Sequence, residues 1–176
     1  MINDNGKSMI QSRDITYTPK SLNIAKSPSE SIQASIVDIN SLHEHEEINK
    51  QYCEELTMRI KKDGIIKRAI AVDKNTMVVL DGHHRLNALK ELGCQKIPIM
   101  LIDYTMSEIQ VRSWNGIKVN KRDVLEAGLS NKKLPPKTSK HMVITNGRER
   151  HISVLERRLN VPLTNLKHNL KVNTTH

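Results

Sequence analysis

The stretch Val78-Val79-Leu80-Asp81-Gly82-His83-His84-Arg85-Leu86 joins an apolar strand directly to the start of a helix. The first backbone N–H groups of a helix have no partner within it and lie at the positive end of its dipole, so they suit an anion. Gly82 removes the side chain that would keep an anion away from the backbone, and Arg85 adds a planar, permanently charged donor. The stretch therefore predicts a binding site for the phosphate chain of a nucleotide, formed by Asp81, Gly82, His83, His84 and Arg85.

Two other interpretations of this stretch remain open. It fits an ordinary strand-to-helix turn in which Asp81 caps the helix, although that role does not require His-His-Arg to follow. A zinc site is disfavoured, because adjacent histidines in a helix point about 100° apart. No nearby cysteine or further carboxylate completes a tetrahedral set of ligands. We therefore expect no metal ligands in this stretch.

Regular elements are predicted on both sides of this turn. Apolar alternation or short apolar runs indicate four strands, at 34–39, 69–72, 77–80 and 97–102. One helix is predicted over 51–62, with Asn49 as N-cap and Gly64 as its stop. A second follows Gly82 and runs to residue 92, with Leu86, Leu89 and Leu92 on its buried face. This order predicts a small α/β (α+β) domain with a mixed sheet and flanking helices.

The remaining segments carry weaker signals. Residues 1–33 are polar and have no lasting apolar period, so we expect them to be loosely attached. Short helices are predicted at 123–127 and 153–159, with a loop over 131–141. We divide the chain into a flexible segment 1–33, a central domain 34–145 and a basic extension 146–176.

Composition limits the size of the core and locates the charge. The chain has 176 residues, of which 37% are hydrophobic and none is Phe, which suffices for one small domain. Residues 1–114 hold 15 Lys and Arg against 15 Asp and Glu, whereas residues 115–176 hold 13 against 4 and so carry the whole net charge of +9. A nucleic acid, a bound polyanion such as a nucleotide, and a solvated surface all fit this basic part.

The sequence also bears on compartment. No apolar run approaches the roughly 18 residues of a membrane span, and the N-terminus has no signal-peptide pattern, so we expect a cytoplasmic protein. Cys53 and Cys94 stand outside any metal-binding spacing. In a reducing compartment they are expected to be free thiols.

The loop His43-Glu44-His45-Glu46-Glu47 holds three carboxylates and two histidines. A carboxylate can accept a hydroxyl proton during phosphoryl transfer, and carboxylates also bind the Mg²⁺ that accompanies nucleotide phosphates. Either role fits this loop, and so does a solvated acidic turn.

Together these blocks resemble the free-serine kinases (SerK-like proteins) of the ParB/sulfiredoxin-like superfamily. The resemblance covers residues 35–145. It rests on the His-Glu loop, Asp63-Gly64-Ile65-Ile66-Lys67-Arg68, the strand pair, Asp81-Gly82-His83-His84-Arg85 and Leu134-Pro135-Pro136-Lys137-Thr138-Ser139-Lys140-His141. It implies a small nucleotide-binding fold that, with Mg²⁺, transfers a phosphoryl group from ATP or ADP to free L-serine and gives O-phospho-L-serine.

The resemblance also implies roles for single residues. Asp81–Arg85 would hold the nucleotide phosphates. Glu46, which follows His45, would be the catalytic base, with Glu47 as the alternative because Glu44 stands where relatives often carry Pro. We expect Trp114 beside the serine or the adenine. The amino-acid carboxylate or a phosphate would be held by Lys137, Thr138 and His141.

The same superfamily contains ParB-type proteins, which bind CTP and clamp DNA. The strand, phosphate loop and helix fit such a protein, as does the basic last third of the chain. However, the phosphate block reads His-His-Arg where Glu-Arg-Arg is expected of ParB. The C-terminal region is also too short and too weakly periodic for a substantial helix-turn-helix domain. We therefore expect small-molecule partners rather than a specific nucleic acid. A sulfiredoxin-type activity would need a cysteine within the block, and the block has none.

Overall fold

A computed structural model of the chain describes residues 33–156 and 158–167. The helices are α1 (Lys50–Asp63), α2 (His83–Glu91), α3 (Lys121–Ser130) and α4 (Thr164–Lys167). The strands are β1 (Gln33–Asp38), β2 (Ile65–Arg68), β3 (Ile70–Asp73), β4 (Val79–Asp81), β5 (Lys96–Ile102), β6 (Ile109–Arg112), β7 (Lys140–Thr145), β8 (Arg148–His151) and β9 (Arg158–Pro162). The segment predicted to be loosely attached, 1–33, lies outside the described residues except for Gln33.

The central sheet contains four strands in the order β1-β5-β3-β4. β3 and β5 are parallel, and α2 lies in the connection between β4 and β5, while the two outer pairs are antiparallel. Both inner strands are buried along most of their length, which explains why their sequences are apolar almost throughout. The predicted fold class, with a mixed sheet and flanking helices, is confirmed.

This sheet separates two hydrophobic cores. Successive residues of β3 belong to opposite cores, since side chains alternate along a strand: Ile70 to the first core, Ala71 to the second. The first core includes Leu86 and Leu89 of α2, both fully buried. The second includes Val124 of α3 and the inner residues of a three-stranded sheet, β6-β7-β8.

The two helices predicted in the first half of the chain are confirmed. α1 begins after Asn49, whose side chain accepts the N–H of Tyr52, and ends at Gly64, which adopts a left-handed conformation with φ 67°. α2 starts directly after Gly82, as predicted. These caps place the starts of both helices at the same end of the sheet, where the loop His43–Glu47 also lies.

The second half contains more strand than the sequence predicted. α3 includes the helix predicted at 123–127. The helix predicted at 153–159 is wrong, because the chain forms a 3₁₀ turn over Ile152–Leu155 and then enters β9. β9 pairs with β2, which is far away in sequence, and its partly buried residues recur every second position. A pattern of this length fits the period of a helix as well as that of a strand, so pairing with the distant β2 decides the structure.

The described part of the segment 146–176 packs into the central domain. The boundary predicted at residue 145 falls inside the β7–β8 hairpin. Ile152 and Leu166 are completely buried, and the N–H of Leu163 donates to the carbonyl of Gly64. Residues up to 167 therefore share the cores of the preceding residues rather than forming an appendage.

The structure also bears on the cysteines and on the expected absence of a membrane span. Cys53 and Cys94 are free thiols, as predicted, and both are buried. None of the helices in the described ranges is both long and apolar enough to cross a bilayer.

Candidate active site

A cavity of about 340 Å³ lies where β4 ends, between the first turn of α2, the acidic loop and the segment that enters β7. Its lining residues are Glu46, Glu47, Leu80, Asp81, Gly82, His83, His84, Trp114, Lys137, Ser139, His141 and His151. The structure therefore brings together the predicted residues of three separate sequence blocks. Two predicted residues, Arg85 and Thr138, are not part of this lining.

The phosphate block forms the floor of the cavity at the start of α2. Gly82 is the N-cap residue, with φ 102°, and makes no side-chain capping bond, so Asp81 is not the cap. A Cβ atom at Gly82 would lie 2.4 Å from Cγ2 of Ile70, which is fully buried. The turn thus requires glycine for its backbone conformation and for its close packing. Without a capping side chain, the first N–H groups of α2 remain available to an anion.

Arg85 is already bonded to protein acceptors. Its Nη1 donates to the carbonyl of Ala69 at 2.7 Å, and its Nη2 donates to Asp81 at 3.0 Å and to Glu156. Burial raises the pKa of Glu156 to about 7, although its ion pair with Arg85 acts in the opposite direction. A phosphate that approaches Arg85 therefore competes with these two carboxylates for the guanidinium.

Burial disfavours the cationic form of both histidines of the block. Burial lowers the pKa of both His83 and His84. Nε2 of His84 accepts the backbone N–H of Asn49 at 3.0 Å, which links the starts of α1 and α2. Nε2 of His83 is buried and has no hydrogen-bond partner in the structure. Since a buried polar atom is ordinarily bonded, this nitrogen fits a ligand in the cavity that it lines.

Glu44 fixes the acidic loop to α2 and takes no part in the cavity. Its carboxylate accepts bonds from Asn87 and Lys90, both at 2.6 Å, and pairs with Lys133 at 3.4 Å. Burial acts to raise the pKa of Glu44, but these donors outweigh it and the pKa is lowered. Glu44 is therefore an ionised structural anchor.

Glu46 is held firmly at the edge of the cavity. Its Oε1 accepts the backbone N–H of Lys137 at 2.7 Å, and its Oε2 accepts the backbone N–H and the hydroxyl of Ser139 at 2.9 and 2.8 Å. One parallel bridge between Glu46 and Leu134 reinforces this contact, because the backbone N–H of Glu47 donates to the carbonyl of Leu134 and the backbone N–H of Leu134 donates to that of His45. A carboxylate offers about four acceptor positions, so Glu46 retains one for a ligand.

Three buried histidines lie beneath Glu46. The ring of His45 is fully buried, 4.6 Å from that of His83 and 5.5 Å from that of His141, measured between centroids. His141 also contacts the hydroxyl of Tyr104 at 2.9 Å. Burial lowers the pKa of all three imidazoles. Nevertheless, the described residues form no cluster of three or more His, Cys, Asp or Glu suited to a metal ion.

Trp114 lines the cavity, and the side chain of Lys140 lies against its ring. Trp114 is 55% exposed, and Nζ of Lys140 lies 4.2 Å from its ring centroid, in a cation–π contact. His151 packs near the same ring, at 6.0 Å. Thr138, in contrast, is buried and donates its hydroxyl to the carbonyl of Pro135. Its contacts hold the loop before β7 in shape.

Three residues at or beside the site were absent from the sequence prediction. Ser139 was detectable, since Lys137, Ser139 and His141 are spaced by two and line one cavity while Thr138 points elsewhere. His151 and Glu156 reach the site only because β8 folds back beside β7. No local signal in the sequence marked that hairpin.

Comparison with known proteins now identifies the family. Residues 19–113, more than half of the chain, match the ParB N-terminal domain. The chain belongs to the ParB N-terminal domain family. It is 41% identical over 85 residues to a ParB-like protein of Sulfolobus acidocaldarius, which covers 48% of this chain and 42% of that protein. It is 32% identical over 91 residues to an ATP-dependent L-serine kinase of Staphylothermus marinus, which covers 49% of this chain and 36% of the kinase. These matches span less than half of either relative.

Solved structures confirm the fold. A structure described as free serine kinase in complex with AMP superposes with a TM-score of 0.63 at 14% identity, over 76% of this chain and 93% of that chain. A C-terminally truncated SbnI from Staphylococcus aureus superposes with a TM-score of 0.58 at 16% identity, over 77% of this chain and 90% of that chain. At such identities the likeness concerns the fold.

Proposed function

We propose that the protein is a small-molecule kinase that transfers a phosphoryl group from ATP or ADP to the hydroxyl of free L-serine, giving O-phospho-L-serine. The observation that carries the proposal is a single cavity with an uncapped helix start on one side and a fixed carboxylate, Glu46, on the other. The relative named as an L-serine kinase and the fold shared with free serine kinases support the same reaction.

The phosphate end of the reaction is assigned to the start of α2. The N–H groups that follow Gly82 would hold the nucleotide phosphates, and Nε2 of His83 would donate a further hydrogen bond. These donors are fixed before the substrate arrives, so they stabilise the charge that develops on the moving phosphoryl group without reorganising. Arg85 would donate to the phosphates as well, if a phosphate oxygen took the place of Glu156 as its acceptor.

Mg²⁺ would reach the site with the nucleotide. When bound, it would neutralise part of the phosphate charge, and it would need few protein ligands. The cytoplasmic location expected from the sequence is part of this proposal.

The acceptor end of the reaction is assigned to Glu46 and to Lys137, the one lysine among the described residues that line the cavity. Glu46 would orient the serine hydroxyl and accept its proton. Lys137 has its backbone bonded to Glu46 and its side chain at the cavity, so it would pair with the carboxylate of the amino acid. His141 and Trp114 would close the pocket around the substrate.

The test is direct conversion. Purified protein is incubated with L-serine, Mg²⁺ and ATP, ADP or CTP, and O-phospho-L-serine is measured by mass spectrometry. The proposal expects phosphoserine with ATP or ADP, and none when serine is replaced by alanine, which lacks the hydroxyl. No phosphoserine with any of the nucleotides, from a folded protein that binds them, would refute it.

A second candidate is a ParB-like protein that binds CTP and associates with DNA. The family match, the ParB-like relative and the basic last third of the chain favour it. If the protein is ParB-like, we expect tight, CTP-dependent binding to particular DNA sequences. If it is a kinase, we expect only weak DNA binding that moderate salt abolishes, because counterions displace non-specific contacts to phosphates. Fluorescence anisotropy with duplex DNA at two salt concentrations separates the two.

A further inference from the structure

The hydroxyl of Ser139 lies between two side chains that both need its single proton. Its oxygen is 2.7 Å from Nε2 of His45 and 2.8 Å from Oε2 of Glu46. On the other side of the imidazole, Nδ1 of His45 lies 2.7 Å from the carbonyl oxygen of Val79. A carbonyl only accepts, so Nδ1 carries a proton. In the neutral form of His45, Nε2 therefore presents a lone pair to Ser139.

The two contacts of the Ser139 oxygen need two protons between them, and its hydroxyl supplies only one. When the Ser139 hydroxyl donates to His45, its oxygen and Oε2 of Glu46 face each other with lone pairs only. When it donates to Glu46, Nε2 of His45 becomes a buried acceptor without a donor, which is costly. One added proton satisfies both short contacts. It rests either on Glu46, which then donates to Ser139 while Ser139 donates to His45, or on His45 with both donations reversed.

Both outer groups are held in place independently of that proton. The carboxylate of Glu46 is fixed by the backbone N–H groups of Lys137 and Ser139, and the ring of His45 by the carbonyl of Val79. His45 is fully buried and Ser139 is 8% exposed. The hydrogen-bonded path from the imidazole to the cavity therefore runs through Ser139 and Glu46.

We propose that Ser139 and His45 form a proton relay with Glu46 and act as positioning residues that strengthen this carboxylate as a base. The role of the relay in catalysis rests on the proposed function, whereas the shared proton rests on the contacts alone. As the serine oxygen bonds to phosphorus, its O–H bond breaks and the proton adds to the carboxylate of Glu46, at the acceptor position that the protein leaves free. Once the carboxyl proton lies on Oε2, Ser139 accepts it in a hydrogen bond and donates its own to His45. The departing nucleotide oxygen keeps the electron pair of the broken P–O bond.

Burial lowers the pKa of His45, and the carboxylates of Glu46 and Glu44 act against that fall. The titratable and charged groups that surround the relay from α2, β7 and the adjoining loops are His83, His84, His141, Glu44 and Lys137. Of these, the nearest rings are both neutralised by burial.

The kinetic test removes the hydroxyl alone. Ser139→Ala retains both backbone N–H bonds to Glu46 but cuts the link to His45. We expect kcat to fall roughly tenfold, less than the loss of a whole base, with KM for serine and nucleotide unchanged. The acid limb of the pH–rate profile should move to lower pH. The protonated carboxyl of Glu46 loses the Ser139 oxygen as its acceptor, so the proton is held less strongly. Ser139→Thr, which restores a hydroxyl, should return the profile towards that of the parent.

Tyr104→Phe is the matched control. It removes a hydroxyl from the neighbouring buried histidine, His141, at a similar distance of 2.9 Å and without contact to Glu46. The relay predicts that the acid limb of the pH–rate profile of Tyr104→Phe coincides with that of the parent. If Tyr104→Phe and Ser139→Ala shift the profile equally, or neither shifts it, the relay is wrong and the Ser139 hydroxyl is only structural.

A measurement without turnover separates this inference from the proposed function. NMR of the ¹⁵N-labelled His45 ring and the ¹³C-labelled carboxyl of Glu46 follows both groups with pH. The relay predicts one common transition in the parent and two separate transitions in Ser139→Ala. Independent titration in the parent would overturn the relay even if phosphoserine forms. A common transition in a protein that makes no phosphoserine would retain the relay and refute the kinase.

Discussion

At the scale of single residues, the charged groups near the cavity differ in which partners they have and in whether they line the cavity. Glu44 lies outside the lining and is bonded to Asn87, Lys90 and Lys133, and Arg85 is shared between Asp81 and Glu156. Glu46 is oriented by backbone donors yet keeps an acceptor position. The sequence singled out Glu44, Glu46, Asp81 and Arg85, but not Glu156 or the partners of Glu44. It could not assign these different roles, which depend on partners that lie 43 or more positions away for Glu44 and 71 away for Arg85 with Glu156.

The pair of Arg85 and Glu156 makes nucleotide binding depend on pH. Glu156 has a pKa raised to about 7, so it binds a proton below that pH and holds Arg85 less strongly. A phosphate then competes more easily for the guanidinium. We expect the parent to bind ATP more tightly just below pH 7 than just above it. Glu156→Gln, which is uncharged throughout, should show the tighter binding on both sides.

Isothermal titration calorimetry on both proteins checks this expectation. The protonation of the nucleotide itself is common to the two and cancels in the comparison. Equal pH dependence in the parent and in Glu156→Gln would mean that Glu156 does not control access to Arg85.

At the scale of elements, the predictable parts are those whose signals are local. α1, α2 and the strands of the central sheet follow from caps, apolar runs and the Asp-Gly turn, and they were placed within one or two residues. β2, β6, β7, β8 and β9 were not predicted, because most of them are short and β8 contains no apolar residue. Such strands are specified by the partner they pair with rather than by their own composition.

The strand-to-helix turn should be intolerant of any side chain at Gly82. Gly82→Ala meets both a left-handed backbone and the buried side chain of Ile70 at 2.4 Å. We expect a loss of about 2–4 kcal/mol in the free energy of unfolding, from strain together with overpacking. Urea denaturation measures it.

Gly93→Ala is the control for this prediction, because Gly93 has φ 71° but nothing within 4 Å of the added Cβ. Strain alone should then cost about 1–2 kcal/mol. Equal losses at the two glycines would show that the packing against Ile70 does not restrict the turn.

At the scale of the whole molecule, the residues after 145 complete both cores. Ile152 belongs to the second core, while Leu163 and Leu166 belong to the first. The division made from the sequence relied on charge, which is concentrated in this part of the chain. Charge describes the surface, however, and the buried residues interspersed among these cations determine where the segment packs.

Leu166→Ala tests that completion. Leu166 is fully buried near the end of the described residues, so truncating it should cost about 2–5 kcal/mol of unfolding free energy. Leu129→Ala removes the same atoms from a side chain that is 54% exposed and should cost far less. A negligible loss at Leu166, measured in the same denaturation series, would mean that the last segment is an independent extension.

The central claim is that Glu46 acts as the base of a serine kinase, and single-turnover formation of phosphoserine tests it most directly. Glu46→Gln preserves the shape of the side chain and removes its basicity, so the rate should fall by roughly 10²–10⁴-fold while nucleotide affinity stays constant. Glu47→Gln, one residue further along the same loop, should keep a rate near that of the parent. A parental rate in Glu46→Gln, or a collapse of the rate in Glu47→Gln alone, would contradict the account.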